Sequence, residues 1–549
     1  MFEKGKSFTM KIKQILSIAL SAAMLFAMAG CQKQEAQPSV TALTQMEKIN
    51  SKNIVDGSGA LRLWYEVDPA LFVNRVSGTT GNLKSVIQDL NYFSDGDPKK
   101  SEDDLGISGI LLTNVISQDD SYAPKELSQL NPNIGSDDDL KALCEKSTSL
   151  GMPVMLEMEL GSISLENSQF LAMTDLVNNL AEGEDPWAKD PVLMDEFYVE
   201  ENHPNEDGWV QIGSSPYYYR AILQSNIPRI NLDSHVWKQF IISAIEHYFS
   251  LGVSGFYIPD YNNLFPDDEQ KDADFMKWFD SIAKERNENV INVFSYSSWN
   301  DPMAEIPAYA ADAGAAGAEG MIAKAVTGAV SAKDLGNYFE ANTNRTQNMT
   351  AYFLNNEDGS LDLLKSENRL AQYKMALALE LMLNGQIFIT AGDELGLTSK
   401  ESDLIVDAIE EPAKQEVESG DINPEQTGTQ VSLEFGSMEQ QRQNGDSILN
   451  FVVQAIMLRD SYKSISEALT TVSQELSTDQ VLVLDRKAEN SETVQIFNLS
   501  DQPQTVDVSQ VKISDLPAEL GGVLLTNDGE ITLNEGQLSL PPYSMALLK

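Results

Sequence analysis

Cysteine, histidine and positive charge are all scarce in this chain of 549 residues. Cys31 and Cys144 are its only cysteines, so no disulfide framework can carry the fold. Cys144 lies beside Leu140 and Leu143 in a helix-like stretch, where it reads as a buried structural thiol. Against 83 Asp and Glu there are 38 Lys and Arg, a formal net charge of −45. A surface of that sign repels phosphate backbones and excludes nucleic acid as a partner, whereas a neutral ligand is compatible with it. Beyond Cys31 no apolar run is long enough to cross a bilayer.

What is present begins with the N-terminus. Lys11 and Lys13 precede an apolar stretch from Ile15 to Ala29, which ends Met28-Ala29-Gly30-Cys31. A charged segment, a short apolar segment and small residues before a Cys make a bacterial lipoprotein signal over residues 1–30, with Cys31 the lipidated residue and the outer face of the cell membrane the destination. Removing residues 1–30, which hold four Lys and one Glu, takes the charge from −45 to −48. Residues 31–58 are polar and read as a flexible tether. The remaining length implies two or three domains.

From Leu61 short apolar runs alternate with amphipathic segments: strands over 61–67, 107–113 and 153–159, with helices over 82–93 and 137–150 between them. Ser136 followed by Asp137, Asp138 and Asp139 opens the second helix with a capping residue and acids that suit its N-terminus. The rhythm breaks over about 160–226, where Trp187, Trp209 and Tyr217-Tyr218-Tyr219 are scattered among polar residues as in an inserted subdomain. It resumes with strands over 252–258, 289–296, near 320–324, 350–354 and 386–390, and with helices over 235–250, 268–286, 332–341, 366–384 and 447–463. Eight such units fit a closed barrel, and the periodicity alone also fits an open doubly wound sheet. Residues 397–446 read as a long polar loop, and from about 474 onward alternation indicates an antiparallel β domain.

Several landmarks resemble the α-amylase family, glycoside hydrolase family 13. They are Trp64-Tyr65-Glu66-Val67-Asp68-Pro69, Ile227-Pro228-Arg229-Ile230-Asn231, Gly392-Asp393-Glu394-Leu395-Gly396, Pro541-Pro542-Tyr543-Ser544 and Gly255-Phe256-Tyr257-Ile258-Pro259-Asp260. The resemblance implies an α/β architecture: a TIM (β/α)8 barrel over 59–466, a domain B inserted after strand 3, and a C-terminal antiparallel β-sandwich over 474–549.

The same resemblance locates the chemistry at the strand ends, and there the family's residues are replaced. The fourth strand of the family ends Gly-Phe-Arg-x-Asp. Here Tyr257 takes the place of the Arg and Pro259 that of the carboxylate nucleophile, while Asp260 lies one residue out of phase. The fifth strand's general-acid position is Ser295, and the third strand's Asp-x-x-x-Asn-His pattern reads Glu157, Gly161 and Ser162. The seventh strand's Asn-His-Asp reads Asn356-Glu357-Asp358, and none of His203, His235 and His247 falls at a family site. Retaining hydrolysis needs a nucleophile and an acid roughly 5–5.5 Å apart. The expected function is therefore a surface lipoprotein that binds α-glucan oligosaccharide without cleaving it, with Tyr257, Tyr296, Trp299, Asn356 and the Tyr217–Tyr219 run as binding candidates. Two alternatives stay open: a hydrolase rebuilt around Asp358, Asp260, Glu357 and Glu157, and a protein–protein scaffold. No cofactor is expected. Scattered Asp and Asn permit Ca2+ without a loop spacing that demands it.

Overall fold

The protein is described by a computed structural model, which covers residues 41–50, 63–71, 81–96, 104–119, 122–203, 208–223, 225–259, 264–266, 268–296, 309–312, 320–346, 349–353, 369–396 and 435–549. Eight parallel strands close into a barrel: β1 (Leu63–Val67), β2 (Gly109–Leu112), β3 (Val154–Glu157), β4 (Gly255–Ile258), β5 (Ile291–Tyr296), β6 (Tyr309–Asp312), β7 (Thr350–Phe353) and β8 (Gln386–Thr390). Each pairs with its neighbours in sequence, and β1 closes on β8 with Glu66 opposite Thr390. Parallel strands are covered on both faces, so β2 and β8 are buried along their whole length and read as nearly continuous apolar runs.

Side chains alternate along each strand. One set fills the barrel: Trp64, Leu111, Met155, Val293, Ala351, Phe353 and Phe388, with Tyr257 and Ile291 packed against them. Phe353 and Phe388 stack at 4.4 Å, and Trp64 lies 5.9 Å from Phe388. The Trp64 indole N–H donates to Gln386 Oε1 at 2.6 Å, which satisfies two polar groups inside the barrel. Gly109 stands beside Trp64 in the register, and a Cβ there would lie 2.5 Å from the indole ring. The bulkiest residue of the interior thus fits because its neighbour has no side chain.

The helices Leu83–Phe93 and Asp137–Ser149 begin at capping boxes, Asn82 with Ser85 and Ser136 with Asp139. One strand differs from the sequence reading. Residues 321–326 form a helix, Met321–Val326, and the sixth strand is Tyr309–Asp312. Two consecutive alanines, Ala310 and Ala311, in a four-residue strand carry little of the β-branched signal on which sequence reading depends.

The insertion after β3 contains the helix Ser168–Asn178, two short helices opened by Pro186 and Pro191, and a three-stranded sheet of Val199–Glu201, Trp209–Gln211 and Tyr217–Arg220. In the C-terminal region, a five-stranded antiparallel sheet centres on Ser491–Asn498 and a three-stranded sheet accompanies it. Two buried arginines satisfy groups on either side of the boundary between the barrel and this region. Arg459 donates to the carbonyls of Leu381, Leu383 and Gly385, just before β8. Arg486 donates to the Ile465 carbonyl and the Thr470 hydroxyl, and burial lowers its guanidinium to about 9.

The stretch 31–58 contains more than a tether. Ala42–Asn50 is a helix, α1, laid along the strand Leu520–Leu525 at the edge of the five-stranded sheet. Asn50 accepts the N–H of Val523 at 2.9 Å and donates to its carbonyl at 3.1 Å, and Gln45 makes the same two-way exchange with Ile531. At Val523 the Asn50 carboxamide stands in for a missing neighbouring strand, which protects an exposed sheet edge. Hydropathy misses such a helix because its key residues are polar. Asn50→Ala would leave both Val523 groups without this partner. It is expected to cost about 1–3 kcal/mol in denaturant unfolding, and an unchanged midpoint would show that α1 does not hold this edge.

Candidate active site at the barrel mouth

Two residues beyond each interior side chain, the same strand face reaches the C-terminal mouth of the barrel. Trp64 leads to Glu66, Leu111 to Thr113, Met155 to Glu157, Tyr257 to Pro259, Val293 to Ser295 and Phe388 to Thr390. Five of these six positions carry polar side chains, and two of them are carboxylates.

Both carboxylates have protein partners. Glu66 Oε2 accepts the Thr390 hydroxyl at 2.6 Å across the seam where the barrel closes. Glu157 Oε2 accepts the backbone N–H of Asn114 at 3.1 Å. Asn114 adopts φ +56°, an uncommon conformation that Asn tolerates better than most residues. Its amide donates to Asp68 Oδ2 at 3.0 Å, and its carbonyl oxygen accepts from Gln118 at 3.3 Å. Glu66, Asp68 and Asn114 entered the sequence reading in no site role. The signal available was positional, because each follows an apolar strand at its C-terminal end.

The other expected residues fall as follows. Tyr257 lies in β4 with its ring 5.5 Å from Phe353, half-buried in the barrel lining. Pro259 follows β4 directly and is half-buried, and it offers the mouth neither an ionisable group nor an N–H. Ser295 is 7% exposed in β5. Tyr296 ends β5 by backbone. Cys31, Asp260, Trp299, Asn356, Glu357 and Asp358 lie outside the described residues. Tyr217 and Tyr219 are not open platforms. Tyr219 packs edge-on against Phe170 at 4.9 Å and donates its hydroxyl to the Asn226 carbonyl, and Tyr217 packs against Trp187 at 5.8 Å. Alternation along their strand turns both into the core of the insertion and leaves Tyr218 half-buried between them.

Two buried carboxyls have perturbed acidity. Glu394, fully buried in the turn after β8, is raised by burial. It accepts the hydroxyls of Tyr65 at 2.8 Å and Tyr92 at 2.7 Å, which fasten this turn to β1 and the first barrel helix. Glu196 sits in the insertion with 3% of its surface exposed, and its Oε2 has no hydrogen-bond partner among the described residues. Burial, then the charges of Asp190 and Asp195, push it up to about 7. Among the described residues no group of three or more His, Cys, Asp or Glu is placed to hold a metal ion.

A family model, "Alpha amylase, catalytic domain", matches residues 66–305. Residues 66–305 are similar to that domain. Among curated relatives, the chain is 20% identical over 227 residues to Alpha-amylase 3 of Dictyoglomus thermophilum, covering 40% of each chain. It is 22% identical over 235 residues to Maltase 1 of Drosophila virilis, covering 38% of this chain and 33% of that one. The matched region thus spans well under half of these relatives' length. Among solved structures, Eubacterium rectale Amy13B superposes with a TM-score of 0.79 at 22% identity, covering 92% of this chain and 98% of that one. The alpha-amylase from H. orenii gives 0.70 at 20% identity, covering 88% and 98%. At these identities the superpositions establish the fold: an amylase barrel with its C-terminal β domain.

The Glu196 carboxyl gives a pH prediction. Its folded value of about 7 lies above its ordinary value of 4.5, so the folded state holds the extra proton. The stabilisation this confers is complete below about 4.5 and lost as pH rises through about 7. Glu196→Gln, which cannot ionise, is expected to be more stable than the parent by on the order of 1–3 kcal/mol at pH 8 and by little at pH 4. Parallel stability curves for the two proteins from pH 4 to 8 would contradict this.

Proposed function

We propose that this protein is an exported, lipid-anchored receptor for α-glucan oligosaccharides, which uses an amylase barrel to hold a sugar chain without cleaving it. The observation that carries the reading is Pro259. By alternation it takes the mouth-facing position that follows Tyr257, the position of the nucleophile in the family motif. A proline there can form no glycosyl-enzyme bond. Ser295, at the general-acid position, cannot protonate a leaving group with a carboxyl's strength, and losing a general acid alone costs about 10²–10⁴ in rate.

Binding makes lighter demands. A sugar site needs a concave apolar floor and a few converging hydrogen-bonding groups. The half-buried Tyr257 ring and the carboxylates Glu66, Asp68 and Glu157 are of that kind. Their hydrogen bonds to Thr390 and Asn114 hold them in place, so little ordering would be required of them when a ligand arrives. The N-terminal signal supports attachment through Cys31 to the outer face of the cell membrane.

Titration calorimetry of residues 32–549 with maltooligosaccharides tests this reading. The expected result is saturable heat that returns to baseline after every injection. Sustained heat flow that disappears in Asp358→Asn would identify a hydrolase rebuilt on the remaining acids. No heat with any α-glucan would favour a protein scaffold. Export is tested separately: Cys31→Ala is expected to abolish incorporation of labelled fatty acid, and a variant still labelled would refute the anchor.

A further inference from the structure

Helix α1 has a direction relative to the barrel, and contacts along the helix Ile448–Ser461 reveal it. That helix spans the length of β8. At its start Ile448 packs on Gly396, in the turn that follows β8 at the mouth, so closely that a Cβ on the glycine would run into it. Near its last turn Arg459 donates to the carbonyls of Leu381, Leu383 and Gly385, just before β8 begins. Residue 448 therefore marks the mouth end of the barrel and residue 459 the far end.

The strand Leu520–Leu525 runs the opposite way along this helix. At the far end Gly522 packs on Leu458, and the Tyr462 hydroxyl donates to the Gly521 carbonyl at 3.1 Å. Directly after the strand, the Thr526 carbonyl accepts from Lys374 Nζ at 3.3 Å, and the same ammonium donates to the Asp446 carbonyl, just ahead of Ile448 at the mouth end. Helix α1 lies antiparallel to the strand. Its last residue, Asn50, bonds Val523 and Gln454, whereas Met46 accepts the Leu525 N–H at 3.4 Å and Ala42 donates its N–H to Asp528 at 3.2 Å. Contacts at both ends fix the helix, with its N-terminus at the mouth end.

What precedes α1 gives this direction a consequence. Thr41 follows Cys31 by ten residues, a length of chain that spans at most roughly 35 Å whatever path it takes. A folded chain of about 500 residues has a radius of gyration of roughly 24 Å and measures about 60 Å across. A lipid on Cys31 is therefore too short-tethered to reach around to the far end of the barrel. We infer that the barrel mouth is the membrane-proximal end of the anchored protein, with α1 as the strut that sets the exit point of the tether, and that the partner at this end is the lipid headgroup surface. The inference rests on the lipid-anchor reading above and adds an orientation to it. A sugar held at the mouth then sits next to the bilayer, where it can pass to or from the membrane.

Energy transfer from a dye on the lipidated protein to an acceptor-labelled lipid in phosphatidylcholine vesicles tests this. Cys144 is buried, so a thiol-reactive dye reports one introduced cysteine. Asn133→Cys lies at the mouth end, since the neighbouring Ile134 carbonyl accepts the N–H of Leu83 at the start of the first barrel helix, and Asn289→Cys lies in the turn that enters β5 at the far end. Both positions are exposed. The dye at 133 is expected to lose more of its emission to the acceptor than the dye at 289. A flexible Gly-Ser insert of about twenty residues before Thr41, which leaves the fold untouched, is expected to remove that difference. Equal loss at the two positions, or greater loss at 289, in protein that carries labelled fatty acid would overturn the orientation and leave the anchor standing. A difference that survives the insert would overturn the strut. Protein that takes up no fatty acid would overturn the anchor and the orientation together.

Discussion

The two-residue alternation of side chains in a closed parallel barrel is the constraint from which the rest follows. It sends Trp64, Met155, Tyr257, Val293 and Phe388 into one packed interior, and it sends the residues two steps further on to a common mouth. Register is fixed by that packing, because a one-residue slip in β1 would remove Trp64 from the barrel and from its hydrogen bond with Gln386. The mouth can therefore be rewritten one residue at a time without disturbing the floor. Proline at position 259 and serine at 295 are tolerable substitutions in this frame, since neither carries the packing beneath it.

A mouth of this kind is useful only if it is held still, and polar side chains supply much of the holding. Asn114 joins the ends of β1, β2 and β3 through Asp68 and Glu157, while Thr390 closes the seam through Glu66. Glu394 binds the turn after β8 to two tyrosines on other elements. Elsewhere, Arg459 satisfies backbone carbonyls ahead of β8, Arg486 ties the five-stranded sheet to the segment after the last barrel helix, and α1 supplies carboxamides to Val523 on an open sheet edge and to Ile531. Each exchanges a group that would be costly to bury alone for one with a partner.

Most of the barrel was legible in the sequence because buried parallel strands are apolar runs and amphipathic helices alternate with them at a regular spacing. Gln386 to Thr390 falls on the expected bounds, and Gly255 to Ile258 ends where expected and starts three residues later. The sixth strand was not legible, since Tyr309-Ala310-Ala311-Asp312 has too little side-chain bulk to register as a strand. Helix α1 was missed for the opposite reason, being polar in composition and buried through its carboxamides. In the site, Glu157 and Tyr257 could be located from strand ends and motif alike. Asn114 could not, because its role depends on a left-handed backbone that no periodicity encodes. The Tyr217–Tyr219 run misled because three adjacent aromatics look like a surface while alternation buries two of them.

The proposed receptor reading requires that no carboxylate at the barrel mouth attacks an anomeric carbon. Intact-mass spectrometry after incubation with an activated fluoroglucosyl fluoride, which traps the covalent intermediate of retaining enzymes, asks this directly. The account predicts an unchanged protein mass, and a variant carrying Pro259→Asp and Ser295→Glu provides the comparison. A stable adduct on the parent protein, mapped to any carboxylate at the mouth, would contradict it.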